Sequence, residues 1–339
     1  MNWSKRAWDS RLLAKTARLA GDTMDELVER LPPLAHPLTF AGRLAAYFVE
    51  RFGMSSDCRV VIGSGDNPQS KVLAPGILLS LGTSFVLMAN GERPHVSANA
   101  MYDGLGRPFM FGCRTNGALV WERVRRDHGL APDDFEASER ALSLRLPGLE
   151  GAKGGEAAPS GASAMEGGEA DPSGARAMEG GEGLPRIYQL ERESFPRSEA
   201  LDLGRRGDFE ADYVGAVDSS LALMWLGSRP FASSVESLSV TGGGAASKGV
   251  LDRVAAIWRC PVVPIANAGA ATGAALAAAI AVLHPTARDA VLPAARARAA
   301  RAGQPIEPRP ELVAAYHGSG GRAYLPAFED AAREAGISF

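Results

Sequence analysis

One carboxylate of the chain lies in a segment that could present it to a ligand. The segment is GSGDNP (63–68), with the carboxylate at Asp66, and it follows the short apolar run Arg59–Ile62. The run predicts a β-strand, and the carboxyl end of a strand is the usual ligand edge of an α/β sheet. The flanking glycines would let a ligand approach Asp66 closely. The same residue types suit an Asx-turn or a helix N-cap, so the hexapeptide alone leaves a catalytic and a structural role open.

Two glycine-containing turns have the composition of phosphate-binding loops. The first, LGTS (81–84), joins the apolar runs Ile77–Leu81 and Phe85–Ala89 and could offer N–H groups and a hydroxyl to a phosphate. The second, TGGGA (241–245), follows the apolar run Leu238–Val240 and precedes a predicted helix, a context that suits phosphate at a helix N-terminus. A plain β-hairpin and an ordinary glycine-rich turn are the structural alternatives. Neither the P-loop nor the GxGxxG spacing fits the second turn.

Taken together and in this order, the three segments resemble the C-terminal half of the FGGY family of carbohydrate kinases, and most closely its xylulose kinases. The matching segments are GSGDNP (63–68), LLSLGTSFVLM (78–88), TNGALVWERVR (115–125), VTGGGAASKGVLDRVAAIWRCPVVPI (240–265) and Ala270–Leu283. The resemblance covers essentially the whole chain outside one insertion. It implies an α/β fold of the actin-like ATPase (ribonuclease H-like) type, in which ATP and sugar lie in a cleft between two lobes.

The resemblance also implies roles for individual residues. Asp66 would be the general base toward the sugar hydroxyl, and Asn67 beside it would contact the sugar. The residues expected to bind ATP are Gly82 and Thr83 at the phosphates, Gly242, Gly243 and Gly244 along the nucleotide, and Ser247 near the adenine. Ser247 departs from the family pattern, in which Asn often stands at this position. Magnesium would be carried with ATP, because the sequence contains no dedicated cage of carboxylates and no paired histidines that would bind a metal.

The resemblance predicts ATP-dependent phosphorylation of a pentulose such as xylulose, with this chain supplying the C-terminal lobe and the catalytic base. No segment resembles the Asp-x-Gly-Thr phosphate hairpin that is typical of the N-terminal lobe. The expected partner is therefore a complementary N-terminal kinase lobe or a second copy in a homo-oligomer. The alternative function is that of a non-catalytic nucleotide-binding lobe or remnant of a sugar kinase. The linked motifs disfavour a plain α/β domain whose turns are only structural.

A tandem repeat interrupts the chain. GGEAAPSGASAME (154–166) is followed by GGEADPSGARAME (167–179), and this composition cannot bury enough apolar surface to offset chain entropy. We therefore expect a disordered Gly/Ala/Glu-rich insertion over 151–184. It would separate two parts of one C-terminal lobe, 57–150 and 185–339, which a helical lead-in over 1–56 precedes.

The apolar patterns predict alternating strands and helices, as in an α/β protein. The long helix after the insertion, Asp208–Trp225, is predicted to be amphipathic, and the Ala-rich helix is predicted to be buried and closely packed. The predicted strands are Arg59–Ile62, Ile77–Leu81, Phe85–Ala89, Leu238–Val240 and Val262–Ile265. The predicted helices are Lys5–Leu31, Ala41–Phe52, Gly117–His128, Asp208–Trp225, Lys248–Trp258 and Ala270–Leu283.

Composition excludes several classes of protein. The chain carries 36 basic and 39 acidic residues, a net charge of −3 at pH 7, which argues against a protein that wraps nucleic acid. Its 3 cysteines are far apart, so they form no disulfide framework and indicate a reducing compartment. The stretch 266–283 is too rich in Ala and Gly to favour a membrane span. We expect a cytoplasmic protein that binds neither nucleic acid nor membrane.

Overall fold

A computed structural model describes residues 2–147, 176–178, 185–232, 235–265, 269–300, 304–318 and 323–339. The strands are β1 (Phe40–Arg43), β2 (Arg59–Val61), β3 (Ile77–Leu81), β4 (Phe85–Asn90), β5 (Asn99–Tyr102), β6 (Pro108–Arg114), β7 (Arg176–Met178), β8 (Ile187–Gln189), β9 (Glu193–Ser194), β10 (Arg197–Ser198), β11 (Leu201–Leu203), β12 (Leu238–Thr241) and β13 (Val262–Pro264). The helices are α1 (Ser10–Ala20), α2 (Met24–Arg30), α3 (Ala46–Phe52), α4 (Asp66–Lys71), α5 (Ala118–Asp127), α6 (Phe135–Leu144), α7 (Phe209–Ser228), α8 (Lys248–Trp258), α9 (Ala270–Val282), α10 (Pro285–Ala299), α11 (Pro310–His317) and α12 (Tyr324–Glu334).

The chain forms two compact units, each built from several stretches of sequence. The first unit comprises Met1–Pro75, Asn90–Met110 and Asn267–Ala299. The second comprises Gly76–Ala89, Phe111–Ala266 and Ala300–Phe339.

The core of the second unit is a mixed sheet in which β13, β12, β3, β4 and β6 are neighbours in that order. β12 runs parallel to both β13 and β3, whereas β3 and β4 form an antiparallel hairpin. In β3 and β4 nearly every residue is buried, on both faces of the sheet. Continuous apolar strands of this kind occur where helices cover both faces, which is why the short apolar runs in the sequence predict them well.

The long helix α7 lies at the centre of the helices in this unit. It contacts α5, α6, α8 and α12, and residues around its whole circumference are buried. The prediction of an amphipathic helix was therefore wrong for α7. A helix that is surrounded by other elements needs no polar face, and its few polar side chains are bonded inside the unit.

In the first unit, the Ala-rich helix α9 packs against the short helix α4. At the contact, a Cβ on Gly273 would lie 1.9 Å from the backbone oxygen of Gln69, so only glycine fits there. The buried residues of α9 are Gly273, Leu276, Ala277 and Ile280, and the remaining positions are half-buried or exposed. The prediction of a closely packed helix is thus confirmed for one face of α9. Among the described residues, no helix has the length and apolar character that crossing a membrane requires.

The N-terminal part of the first unit is less helical than predicted. The predicted helix Lys5–Leu31 is divided, because Gly21 ends α1 in a left-handed conformation and Thr23 begins α2 with a capping box to Glu26. The start of the predicted helix Ala41–Phe52 is also wrong, since residues 40–43 pair with β2 as strand β1. This pairing is non-local and has no signal in the local sequence.

The predicted disordered insertion, 151–184, lies outside the described residues except at 176–178. These three residues form β7, whose backbone pairs in parallel with β11 in the second unit. β11 pairs on its other side with β8, so β7 extends a sheet that the chain forms directly after the insertion.

Candidate active site

The first predicted phosphate turn is the tip of the β3–β4 hairpin. The last ladder pair is Leu81 with Phe85, which leaves a three-residue loop, 82–84, closed by a hydrogen bond of 3.2 Å from Gly82 N to Ser84 O. Thr83 is exposed at the tip, and Gly82 is half-buried. The turn can therefore offer the Thr83 hydroxyl to a ligand in solution, as the sequence predicts.

The beginning of α5 supports this turn from the other side. Ala118 N donates to Gly82 O at 3.0 Å. A Cβ on Gly117 would lie 2.5 Å from Thr83 O, so the backbone before α5 approaches the turn as closely as atoms permit. The position of residues 82–84 thus depends on where α5 begins.

The second predicted phosphate turn lies beside the first. β12 is parallel to β3 with Thr241 opposite Ser80, so both turns leave the carboxyl edge of the sheet. Gly242 has φ +91° and ψ 177°, a region that only glycine adopts readily. A Cβ on Gly242 would lie 2.7 Å from the carbonyl carbon and oxygen of Leu81, so the two turns are in backbone contact.

The middle glycine of this turn is open to solvent. Residues Gly243–Ala246 form a 3₁₀ turn, and a Cβ built on Gly243 has no neighbour within 4 Å. Gly242 therefore serves the packing of the turn, whereas Gly243 leaves an exposed backbone face that a ligand can approach. The run of three glycines thus contains positions with two different physical requirements.

The N-terminus of α8 is already satisfied by side chains. Ser247 is the N-cap, with its Oγ accepting from Val250 N at 3.0 Å, and Glu139 Oε2 accepts from Gly249 N at 3.1 Å. Because the Glu139 carboxylate occupies this helix end, the interpretation of a phosphate bound at the α8 N-terminus is not supported. The backbone of the glycine turn itself is the better candidate surface. The Ser247 Oγ accepts the bond from Val250 N and keeps its O–H donor, so the adenine contact stays a prediction.

Asp66 is the first residue of α4, and its side chain is exposed. Its Oδ1 accepts a hydrogen bond of 2.8 Å from Asn67 N. The N-cap of α4 is Gly65, so the structural alternative of an Asp66 N-cap is not the geometry observed. An exposed carboxylate next to the half-buried Asn67 is compatible with contact to a polar substrate.

The helix that carries Asp66 is anchored by buried groups at its other end. Lys71, the last residue of α4, is 1% exposed and donates from Nζ to Ala74 O at 3.1 Å and to Asn90 Oδ1 at 2.8 Å. Burial lowers the pKa of Lys71 to about 8, and the nearby carboxylate of Asp103 opposes this shift. Together with the tight contact at Gly273, these bonds give α4 a defined position within the first unit.

The predicted site residues belong to different units. Asp66 and Asn67 are in the first unit, and the second unit contains the six residues predicted to bind ATP. Within the second unit the structure brings the turns at 82–84 and 242–244 together. No group of three or more His, Cys, Asp or Glu side chains placed to hold a metal occurs in the part of the chain that is described.

The sequence did not predict a buried polar network that lies near the first turn. Arg114, Asn116 and Glu193 are all at most 2% exposed, and Glu193 bonds to both the backbone and the side chain of Asn116. Asn116 lies in the segment TNGALVWERVR, whose resemblance was noted, but nothing in the local pattern indicates a partner 77 residues away.

The chain matches no family model, but it is similar to known proteins in sequence and in structure. It is 29% identical over 160 residues to a probable D-xylulose kinase A of Aspergillus terreus, over 44% of this chain and 28% of that protein. It is 42% identical over 89 residues to xylulose kinase 2 of Arabidopsis thaliana, over 25% of this chain and 15% of that protein. In these segments the chain is similar to xylulose kinases.

Solved structures extend the similarity over the length of this chain. A xylulose kinase from Lactobacillus acidophilus matches with a TM-score of 0.68 and 18% identity, covering 100% of this chain and 62% of that chain. A Brucella ovis sugar kinase, named a xyloylose kinase, matches with a TM-score of 0.63 and 21% identity, covering 99% and 61%. Plasmodium falciparum glycerol kinase with ADP matches with a TM-score of 0.62 and 11% identity.

These matches confirm the predicted fold, which is the actin-like ATPase fold of the FGGY sugar kinases. The chain spans 28% or less of the curated relatives described and less than two thirds of the solved kinases.

Proposed function

We propose that this chain takes part in the ATP-dependent phosphorylation of a sugar, as the C-terminal lobe of a carbohydrate kinase. The observation that carries the proposal is the backbone contact between the turns at 82–84 and 242–244, at one edge of the sheet, in a chain that resembles xylulose kinases. Two adjacent glycine turns with exposed backbone are what a chain of phosphates requires.

In this proposal ATP lies along the exposed backbone of Gly243, with its phosphates toward Gly82 and Thr83. The fit to the nucleotide rests on Gly243, where a Cβ would enter open space that a ligand can fill. Magnesium arrives with the nucleotide and neutralises phosphate charge. Phosphoryl transfer otherwise requires positioning and a base, and we propose that Asp66 accepts the proton of the attacking sugar hydroxyl while Asn67 contacts the sugar.

The substrate class that we propose is a pentulose similar to xylulose. The support for it is the names of the relatives, since both curated proteins described above are xylulose kinases. In the same proposal, residues 57–150 and 185–339 form the C-terminal lobe, 1–56 precede it, and 151–184 are an insertion.

An apolar face in the first unit supports a partner for this lobe. We define the apolar face as Phe40, Tyr47, Phe48, Phe52 and Met54, whose exposed fractions are 37%, 58%, 43%, 60% and 44%. The helix α3 within it has no buried residue, and neither strand of the β1–β2 pair has one. A seven-residue helix and a two-stranded sheet are marginal in water on their own, so this region needs a covering surface.

We propose that a complementary N-terminal kinase lobe covers the apolar face. More than a third of each solved kinase has no counterpart in this chain, which spans 61–62% of their lengths. The test mixes this chain with the N-terminal lobe of a xylulose kinase and measures the complex by sedimentation. We expect a 1:1 complex, and we expect the double variant Tyr47→Ser, Phe52→Ser to abolish it. Self-association of this chain that the same substitutions abolish would instead assign the face to a homo-oligomer.

The activity test is a coupled ADP-release assay with D-xylulose, in which this chain is used alone and with the N-terminal lobe. Release that depends on both chains and falls about 10²–10⁴-fold in Asp66→Asn is expected for a general base. Asp57→Asn, which neutralises another exposed carboxylate of the same unit, is the control and should retain activity.

The alternative is a non-catalytic nucleotide-binding lobe. Nucleotide binding without sugar-dependent ADP release in the two-chain mixture would favour it. Robust sugar-dependent release by this chain alone would contradict the proposal that a second lobe is required.

A further inference from the structure

The buried network around Glu193 has a geometry that bears on the first phosphate turn. Glu193 is 2% exposed, and its Oε2 accepts from both the backbone N and the side-chain Nδ2 of Asn116, each at 3.0 Å. Its Oε1 accepts from Ser194 N at 2.8 Å. A buried carboxylate that accepts three hydrogen bonds places its partners with little freedom, because every one of these bonds is costly to leave unmade.

Asn116 uses all of its polar groups within the unit. Its Oδ1 accepts from Leu190 N at 2.7 Å and from Glu191 N at 3.2 Å, and its Nδ2 also donates to Glu191 O at 3.0 Å. Its backbone oxygen accepts from Arg114 Nε at 3.3 Å. Hydrogen bonds therefore hold both the backbone and the side chain of residue 116. They fix the position at which the chain enters α5.

Arg114 supplies the opposite charge to this network. Its side chain is fully buried, and its Nη2 donates to Gln189 Oε1 at 3.1 Å. Burial lowers the pKa of Arg114 to about 10, and the Glu193 carboxylate opposes this shift, so Arg114 remains a cation at pH 7. Removing Glu193 leaves that cation without its neighbouring carboxylate in a buried site.

The two residues that follow Asn116 both contact the turn at 82–84. Gly117 is packed against Thr83 O, and Ala118 N donates to Gly82 O at 3.0 Å. A shift of residue 116 would therefore also move residues 82–84, because the backbone at 117–118 is in direct contact with the backbone of the turn. Phosphate binding by backbone groups requires their positions to hold within about 0.5 Å.

We propose that Glu193 is a positioning residue, which fixes Asn116 and the start of α5 and thereby holds the Gly82–Ser84 turn where it meets the ATP phosphates. The inference rests on the proposed function, and it assigns a role in it to a side chain that does not touch the nucleotide. A purely structural role would lower stability and leave nucleotide affinity per folded molecule unchanged.

The test compares three variants of the full chain in calorimetric titrations with MgADP and with MgATP. Glu193→Ala is expected to raise the Kd by about tenfold, as for the loss of one well-placed bond to the ligand. Glu193→Gln keeps an oxygen acceptor for Asn116 and is expected to raise it only about two- to threefold. Tyr316→Phe is the matched control, because it breaks the bond of Tyr316 Oη to the buried Asp218 in the same unit and touches neither turn.

Two outcomes would overturn the inference while the proposed function stands. One is wild-type affinity in Glu193→Ala, and the other is an equal rise of Kd in Tyr316→Phe at the same loss of Tm. A wild-type chain that binds no nucleotide would overturn the proposed function as well. If Glu193→Ala does not fold, hydrogen exchange of the backbone amides is compared between Glu193→Gln and Tyr316→Phe. Protection of the Ala118 amide should fall more in that variant than in Tyr316→Phe, and equal protection would contradict the inference.

Discussion

The triple-glycine turn offers a matched pair of substitutions, because Gly242 and Gly243 differ in what surrounds them. Gly242→Ala places a Cβ 2.7 Å from the Leu81 carbonyl, at a φ of +91°. Holding a non-glycine residue in that backbone region costs about 1–3 kcal/mol. Overpacking against backbone adds about 1–3 kcal/mol, so we expect a loss of roughly 2–6 kcal/mol in the free energy of unfolding.

Gly243 has no such requirement. A Cβ there meets nothing within 4 Å, so Gly243→Ala should change the free energy of unfolding by less than about 0.5 kcal/mol. If ATP lies along this backbone, Gly243→Val fills the space that the ligand needs. It should raise the nucleotide Kd by at least about tenfold, equivalent to about 1.4 kcal/mol, with Tm nearly unchanged.

The assay is thermal unfolding together with calorimetric titration of MgATP. For Gly242→Ala, a domain of this size should lose about 2–4 °C in Tm for every kcal/mol. Gly207→Ala separates strain from packing, because Gly207 has a φ of +77° and no neighbour within 4 Å of its Cβ. Its loss of Tm should therefore be smaller. Equal nucleotide affinity in wild type and Gly243→Val would remove this turn from the binding site, and an unchanged Tm in Gly242→Ala would refute the packing argument.

Three further predictions concern the anchors of α4 and the N-cap that follows the second turn. Lys71 has a pKa of about 8 in the folded chain against 10.5 ordinarily, so between these values the unfolded state holds more protons and wild-type stability should rise with pH. Urea denaturation at pH 8 and pH 10 measures the free energy of unfolding of wild type and of Lys71→Met. Relative to the variant, the wild-type value should rise by about 2–3 kcal/mol over this range, and a difference between the two proteins that does not change with pH would contradict the prediction. Ser247→Ala should cost about 1 kcal/mol in the free energy of unfolding as a lost N-cap and leave the nucleotide Kd unchanged, whereas a raised Kd would support the predicted adenine contact. Gly273→Ala should destabilise by about 1–3 kcal/mol because its Cβ meets α4, while the exposed Ala274→Ser should be neutral in the same thermal scan.

The sequence was sufficient to predict the elements whose signal is local. The bounds of β3 and of α8 agree with the prediction, and β4 differs by one residue. These elements are continuous apolar runs or helical patterns that end at glycine or at a cap, so hydrophobic burial and chain geometry point to the same residues. The sequence also predicts that β3 and β12 each end at a glycine turn, whereas the pairing of the two strands is a contact between distant residues.

What could not be predicted depends on contacts between distant residues. The start of α8 has the pattern of a phosphate-binding helix, and only the fold brings Glu139 to the N–H of Gly249, 110 residues away in sequence. The strand β1 needs β2 for its pairing, and α7 needs four other helices to bury its whole circumference. Local patterns carry no information on such partners, which decide what a motif is free to do.

The residues that hold the predicted groups in place are chemically plain, and this explains why motif reasoning passes over them. The Ala-rich helix α9 reads in the sequence as a weak membrane candidate, yet its Gly273 lets it touch the backbone of the helix that begins with Asp66. Glu193 reads as one acid in a charged loop, yet its two bonds to Asn116 govern where α5 begins. A glycine allows two backbones to come into contact, and a buried charge is stable only with hydrogen-bond partners. Both therefore fix the positions of the residues around them. Substitutions at these positions should therefore alter what the predicted site residues can do while every predicted site residue is still present.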